Sequence, residues 1–253
     1  FRRREFDGVS IDERRLRRGL DAGDSVRVAS GAFVNGDLWR SLMPLDRHLA
    51  RVIEAGERAK GTIVATHFAA AALWRIDQIS AWPTVVDVRV PRSGGGRSSG
   101  LLRRRAIGVE VPLVAWGRHL VTTPAQTAAD IAAISSRTQG IVAMDQARWA
   151  KRPGGALADA EEIALAIEGL RTGRARARAF TALEASSELS DSVRESQSRV
   201  VIVQLGFAEP ILQKTFILRG GREARDDFFW EEVDHVGAFD GLGKYFDPLL
   251  TRG

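Results

Sequence analysis

The stretch Ile211-Leu212-Gln213-Lys214-Thr215-Phe216-Ile217-Leu218-Arg219-Gly220-Gly221-Arg222-Glu223-Ala224-Arg225-Asp226-Asp227-Phe228-Phe229-Trp230 decides how this 253-residue chain is read. Leu212, Lys214, Phe216 and Leu218 recur with a period of two, which predicts a strand over 211–218. Gly220-Gly221 supplies a hairpin turn. Residues 224–230 then read as a second strand and 233–239 as a third. The pleat of that third strand sets Val236, Ala238 and Asp240 on one face and His235, Gly237 and Phe239 on the other. Upstream, 190–205 reads as a helix with Glu195 near its beginning, and 206–210 as a turn.

Charge sharpens this region. The whole chain carries 37 Lys+Arg against 32 Asp+Glu, a formal charge of +5. Residues 221–247 reverse the sign to −5. A strongly acidic block in a basic protein suits a hard cation such as Mg²⁺, which takes carboxylate oxygens. Asp227 and Asp240 are the candidate metal ligands.

The order helix, strand, strand with Asp, strand with acid, then Lys resembles the PD-(D/E)XK nuclease core in its very-short-patch-repair-like form. The resemblance rests on Glu195 in Arg194-Glu195-Ser196, on Gln213 after the Gly206-Phe207-Ala208-Glu209-Pro210 turn, and on Asp227 before Phe228. It is completed by Gly237-Ala238-Phe239-Asp240-Gly241 with Lys244-Tyr245, and covers about 65 residues. It implies catalytic roles for Glu195, Asp227, Asp240 and Lys244, with Mg²⁺ as cofactor. Where the family pattern has Glu directly before Phe-Asp-Gly, this sequence has Ala238, so one metal ligand is missing. Asp240 also stands where a lysine is commoner. Either Asp240 and Glu195 compensate, or the domain is an endonuclease with a weak, degraded site, or it is a binding relic. Relatives usually continue with a further strand and helix beyond the position of Gly253, and the chain opens on Phe1 without an initiator Met. Both ends are expected to be truncated.

The N-terminal 42 residues carry a net charge of +2. Ser10 and Glu13 have capping-box spacing. The helix that follows turns Ile11, Leu16 and Leu20 inward and crowds Arg14, Arg15, Arg17 and Arg18 on its outer faces. Val26-Arg27-Val28, a turn at 29–31 and Phe33-Val34 read as a hairpin. Together with a short helix around 3–6 they outline a winged helix-turn-helix. Arg4-Glu5, the run Leu16-Arg17-Arg18-Gly19-Leu20-Asp21-Ala22-Gly23 and the run Val26 to Val34 resemble the N-terminal module of AbiEi-type antitoxins. Those are winged-helix regulators of type IV toxin–antitoxin systems, with related actinobacterial proteins. The resemblance implies DNA contact by the four arginines and Arg27, a wing formed by the hairpin, and a cognate toxin as partner. A helix fits the major groove, and arginine can contact phosphate or guanine edges.

In residues 43–185 the pattern predicts an amphipathic helix over 46–59, a helix from Thr66 through Ile76 and a strand over 84–90. A Gly/Ser loop over 93–100, a basic strand pair over 101–111, and helices over 159–170 and 175–185 follow. Thr123 reads as the cap of a helix with Pro124 in its first turn. Thr66-His67-Phe68-Ala69-Ala70-Ala71-Ala72-Leu73-Trp74 and Thr122-Thr123-Pro124-Ala125-Gln126-Thr127-Ala128-Ala129-Asp130 resemble motifs of the same group, with Arg75 where the group usually has Gly. Residues 85–120 carry a net charge of +5, so Arg103, Arg104 and Arg105 beside the loop are candidate phosphate contacts. His67 reads as a capping or buried structural residue, and His48, His119 and His235 are isolated.

Several chemistries drop out. Cysteine is absent, which removes disulfides, thiolate zinc sites and cysteine nucleophiles; it also fits a cytoplasmic setting. No stretch approaches the roughly 18 apolar residues of a membrane span. Phosphate-loop, nucleophile-elbow and dinucleotide fingerprints are missing. Thirty-three of the 37 basic residues are arginine, a bias that codon usage can produce. The reading is an α+β DNA-binding protein in three parts. These are a winged helix-turn-helix (1–42), a mixed α/β middle domain (43–185) and a restriction-endonuclease-like α/β core (186–253). The double-stranded DNA partner is joined, in the regulator reading, by a toxin.

Overall fold

The computed structural model describes residues 13–91, 100–107 and 110–239. It is a mixed α+β structure with three antiparallel or mixed sheets among the described residues.

The N-terminal part begins with α1 (Glu13–Ala22), ended by Gly23 at φ 79°, a left-handed backbone that glycine adopts without Cβ strain. The hairpin of β1 (Ser25–Ala29) and β2 (Ala32–Asn35) follows as the alternation predicts. The short helix α2 (Gly36–Ser41) starts where the Asn35 side chain accepts the Leu38 N–H at 2.9 Å. Its Trp39 is buried, with the Arg51 guanidinium 4.9 Å above its ring. The capping box at Ser10 and the helix near residues 3–6 lie outside the described residues.

The helix α3 (Pro44–Arg58) has Pro44 in its first turn and turns Leu45, His48, Val52 and Ala55 inward. They pack on a five-stranded sheet of order β5-β4-β3-β7-β6. Its strands are β3 (Val64–Ala65), β4 (Val86–Pro91), β5 (Leu102–Ile107), β6 (Leu113–Trp116) and β7 (His119–Thr122). β4 and β5 run parallel with Asp87 opposite Arg103 and Arg89 opposite Arg105. Of the basic strand pair expected over 101–111, the described residues form one strand, β5. The next hairpin is β6–β7, which turns at Gly117.

Helix α4 (His67–Trp74) lies between this sheet and a helical layer. Ala69 to Ala72 are all buried, as a helix enclosed on several sides requires. It ends at Arg75, whose φ of 58° is left-handed. That conformation explains why glycine suits this position in the motif it resembles.

The helical layer contains α5 (Pro124–Ile134), α6 (Arg137–Arg148), α7 (Ala160–Glu168) and α8 (Gly173–Glu184). Sequence patterning does not mark α6, because it is buried along most of its length and that erases the amphipathic period. Gly140 of α6 lets three helices meet, since a Cβ there would lie 3.2 Å from Ala132 and from Ala182. Asp159 and Glu162 form a capping box on α7.

Helix α9 (Val193–Gln204) joins the same core through Val200. Its Arg199 donates to Asp145 of α6 at 2.8 Å, a pair with almost no solvent exposure. Beyond it, β8 (Ile211–Ile217), β9 (Glu223–Trp230) and β10 (His235–Gly237) form an antiparallel sheet of order β10-β9-β8. The third strand is shorter than the expected 233–239, because residues 231–233 form a 3₁₀ turn and Asp234 takes a left-handed φ of 45°.

Candidate functional site

Three elements converge at the C-terminal sheet. Ser192 caps α9 by accepting the Glu195 N–H at 3.1 Å, which sets Glu195 in the first turn. The Glu195 carboxylate folds back and accepts the Asp191 N–H at 3.0 Å. Gln213 of β8 donates its amide to Glu195 Oε2 at 3.0 Å and to Asp227 Oδ1 of β9 at 3.3 Å. The other Asp227 oxygen accepts the Phe239 N–H at 2.8 Å, directly after Ala238.

Gln213 is held in strain. Its φ is 56°, uncommon for a residue with a long side chain, and such a conformation costs on the order of 1–3 kcal/mol. Its Oε1 is buried without a hydrogen-bond partner. Burial raises the Glu195 carboxyl above its ordinary range, and the nearby Asp227 and Asp191 charges push the same way.

The residues present suit a hard cation in their chemistry: two carboxylates and an orphaned amide oxygen. Among the described residues no group of three His, Cys, Asp or Glu side chains stands at metal-binding distance. Asp240 and Lys244 lie outside the described residues. Ala238 is exposed. A larger apolar cleft of about 840 Å³ runs beside this site, lined by Phe207, Ile211, Phe229, Trp230 and Phe239.

The expected DNA-contacting arginines fall in two places. Arg14, Arg15, Arg17 and Arg18 are all exposed on α1, while Leu16 and Leu20 are half-buried. Arg27 is exposed on β1, its guanidinium 5.5 Å from the Phe33 ring. Arg103, Arg104 and Arg105 share β5, but its pleat divides them. Arg104 is exposed. Arg103 donates to both oxygens of the fully buried Asp87, at 2.6 and 2.7 Å, and Arg105 donates its Nε to the same carboxylate at 2.7 Å. Burial pushes the Asp87 carboxyl up, but the Arg103 hydrogen bonds and the Arg105 charge outweigh it and hold the group below its ordinary value.

A second constellation was not assembled by sequence reasoning. The motifs containing Thr66-His67 and Asp130 meet in space: the Thr66 hydroxyl donates to Asp130 Oδ2 at 3.0 Å. Since that hydroxyl spends its proton on Asp130, the His67 Nδ1 at 3.0 Å must donate to the Thr66 oxygen. Gln126 donates to the other Asp130 oxygen at 2.9 Å. His67 lines a cavity of about 330 Å³ together with Arg89, Arg105, Asp130 and Arg171. The only sequence signal for this meeting is that both motifs belong to one resemblance.

No family model matches the chain. Uncharacterized proteins from two strains of Mycobacterium tuberculosis are each 27% identical to it over 149 residues, which is 59% of this chain and 52% of each relative. The chain thus spans about half the length of the curated relatives it matches. Among the described residues no helix is long and apolar enough to cross a membrane.

Proposed function

We propose that this chain is a DNA-binding protein with a winged-helix module at its N-terminus and a nuclease-like domain at its C-terminus, derived from Mg²⁺-dependent DNA endonucleases. The observation that carries the reading is the convergence of Glu195, Gln213 and Asp227 from α9, β8 and β9. Glu195 and Asp227 would hold the cation, and the unpartnered Gln213 oxygen offers a third ligand. When bound, such a metal polarises a scissile phosphate and lowers the pKa of an attacking water. Gln213 holds the two carboxylates together against their repulsion. The Phe239 N–H fixes the orientation of Asp227. Asp240 and Lys244 are the further candidates for ligand and charge stabilisation. The exposed arginines of α1, with Arg27 on the hairpin, would hold the duplex, and Arg104 would extend that contact.

Ala238 favours a second reading: a non-enzymatic repressor or antitoxin of a type IV toxin–antitoxin system. In it the C-terminal sheet is a platform for DNA or for the toxin. Plasmid incubation with Mg²⁺ or Mn²⁺ separates the two. The nuclease-derived site predicts that Ala238→Glu restores nicking and that adding Asp227→Ala abolishes it. A supercoiled plasmid left intact by Ala238→Glu overturns the nuclease reading and leaves the regulator.

A further inference from the structure

The cavity beside His67 has a chemistry that the C-terminal site does not use. It lies between α4, α5, the sheet and the beginning of α8. Arg105 is anchored through its Nε on Asp87, and its two terminal nitrogens make no hydrogen bond to the described residues. Arg171 forms no ion pair or hydrogen bond among the described residues. Thr172 caps α8 by accepting the Ala175 N–H at 3.1 Å, and no atom lies within 4 Å of where a Cβ on Gly173 would stand. Thr172 and Ala175, at the start of this twelve-residue helix, line the cavity, with the Ala175 N–H already held by the cap.

Opposite these donors stand two acceptors. The relay from His67 through Thr66 to Asp130 places the imidazole proton on Nδ1, so Nε2 carries a lone pair. Burial pushes the His67 imidazole below its ordinary pKa, which favours the neutral ring with that lone pair. Asp130 is the second acceptor, with the Arg89 guanidinium 3.9 Å away. A ligand for this cavity must bring negative oxygens to the arginines and a proton to His67 or Asp130.

We propose that the cavity binds a phosphomonoester in its singly protonated form, with Arg105 and Arg171 holding the phosphate oxygens and His67 or Asp130 accepting the one proton that this form retains. A phosphodiester and sulfate lack that proton and leave the acceptors facing bare oxygen. The volume of about 330 Å³ is at the lower end of small-ligand sites and admits a nucleotide-sized group. The proposal is independent of the nuclease reading.

Calorimetric titration of the intact chain with inorganic phosphate and with sulfate, at matched ionic strength and pH 7, tests it. Phosphate should saturate, with sulfate at least about tenfold weaker, the scale of one charged hydrogen bond replaced by repulsion. Arg171→Gln, at an exposed position, should weaken both anions about tenfold while the fold stays intact by circular dichroism. Asp130→Asn should narrow the gap between the anions. Competition then separates the sources. A nucleoside 5′-monophosphate that displaces phosphate identifies a small ligand, whereas a 5′-phosphorylated duplex that does so, against a 5′-hydroxyl duplex that does not, identifies a nucleic-acid end. Equal affinity for sulfate, an unchanged Kd in Arg171→Gln, or no saturable phosphate binding in the millimolar range overturns the proposal.

Discussion

The Gln213 amide nitrogen lies 3.0 Å from the Glu195 carboxylate, and the same amide reaches Asp227 at 3.3 Å. One neutral donor thus bridges two acids that would otherwise repel. Gln213→Leu removes it, so the Glu195 carboxyl, already raised by burial, should titrate at still higher pH by carbon NMR. The variant should also lose about 1–3 kcal/mol of stability, the cost of buried acceptors left unpaired. A Glu195 titration unchanged from the parent would contradict this account.

Asp87 is fully buried between Arg103 and Arg105. Asp87→Asn leaves both guanidinium groups without their counter-charge. Breaking a buried pair costs roughly 3–5 kcal/mol, and the partial exposure of the arginines places this case at the lower end. Urea unfolding should show that drop. Arg104→Ala, on the opposite face of β5, should change stability by less than about 0.5 kcal/mol.

His48 gives a pH signature. Its Nδ1 donates to the Pro83 carbonyl at 2.9 Å, its ring stacks on Trp82, and its Nε2 is buried without a partner. Burial lowers its pKa from 6.5 to about 4. Between those values the unfolded chain takes up a proton that the folded chain refuses. Stability from this group is therefore full above about pH 6.5 and falls away as pH drops toward 4, by about 3 kcal/mol. His48→Phe should flatten that part of the profile, read from urea midpoints at several pH values. An unaltered slope would assign the dependence to other groups.

If the α1 arginines contact DNA, log Kd should depend steeply on log salt, each phosphate contact contributing about 0.9 to the slope. Replacing Arg14, Arg15, Arg17 and Arg18 with Ala should flatten the line by about 0.9 for each phosphate those side chains neutralise. A flat response in the parent, or the same slope in the variant, ends the winged-helix proposal. Fluorescence anisotropy with a short duplex across a salt series provides the measurement.

Much of the local structure is legible in the sequence. The period of two over 211–218 marks β8, and the hairpin of β1 and β2 stands out by alternation. Thr123-Pro124 marks the start of α5 through cap and fixed φ. Helix α6 is not legible, because a helix buried all round has no polar face to set a period. The extent of the third strand is not legible either, since Asp234 adopts a left-handed turn that alternation does not register.

Residue order alone therefore settled the secondary elements with a polar and an apolar face, the Thr123 cap, and the opposition between basic and acidic regions, because these depend on neighbours within a turn or a strand. Thr66, which reads as a cap of α4, instead spends its hydroxyl on Asp130. The tertiary structure decided which side chains meet. It joined Glu195 to Gln213 and Asp227, Thr66 to Asp130, and Asp87 to Arg103 and Arg105. Those pairings depend on strand register and helix packing between distant segments, where burial chooses a partner for each charge and local patterning is silent.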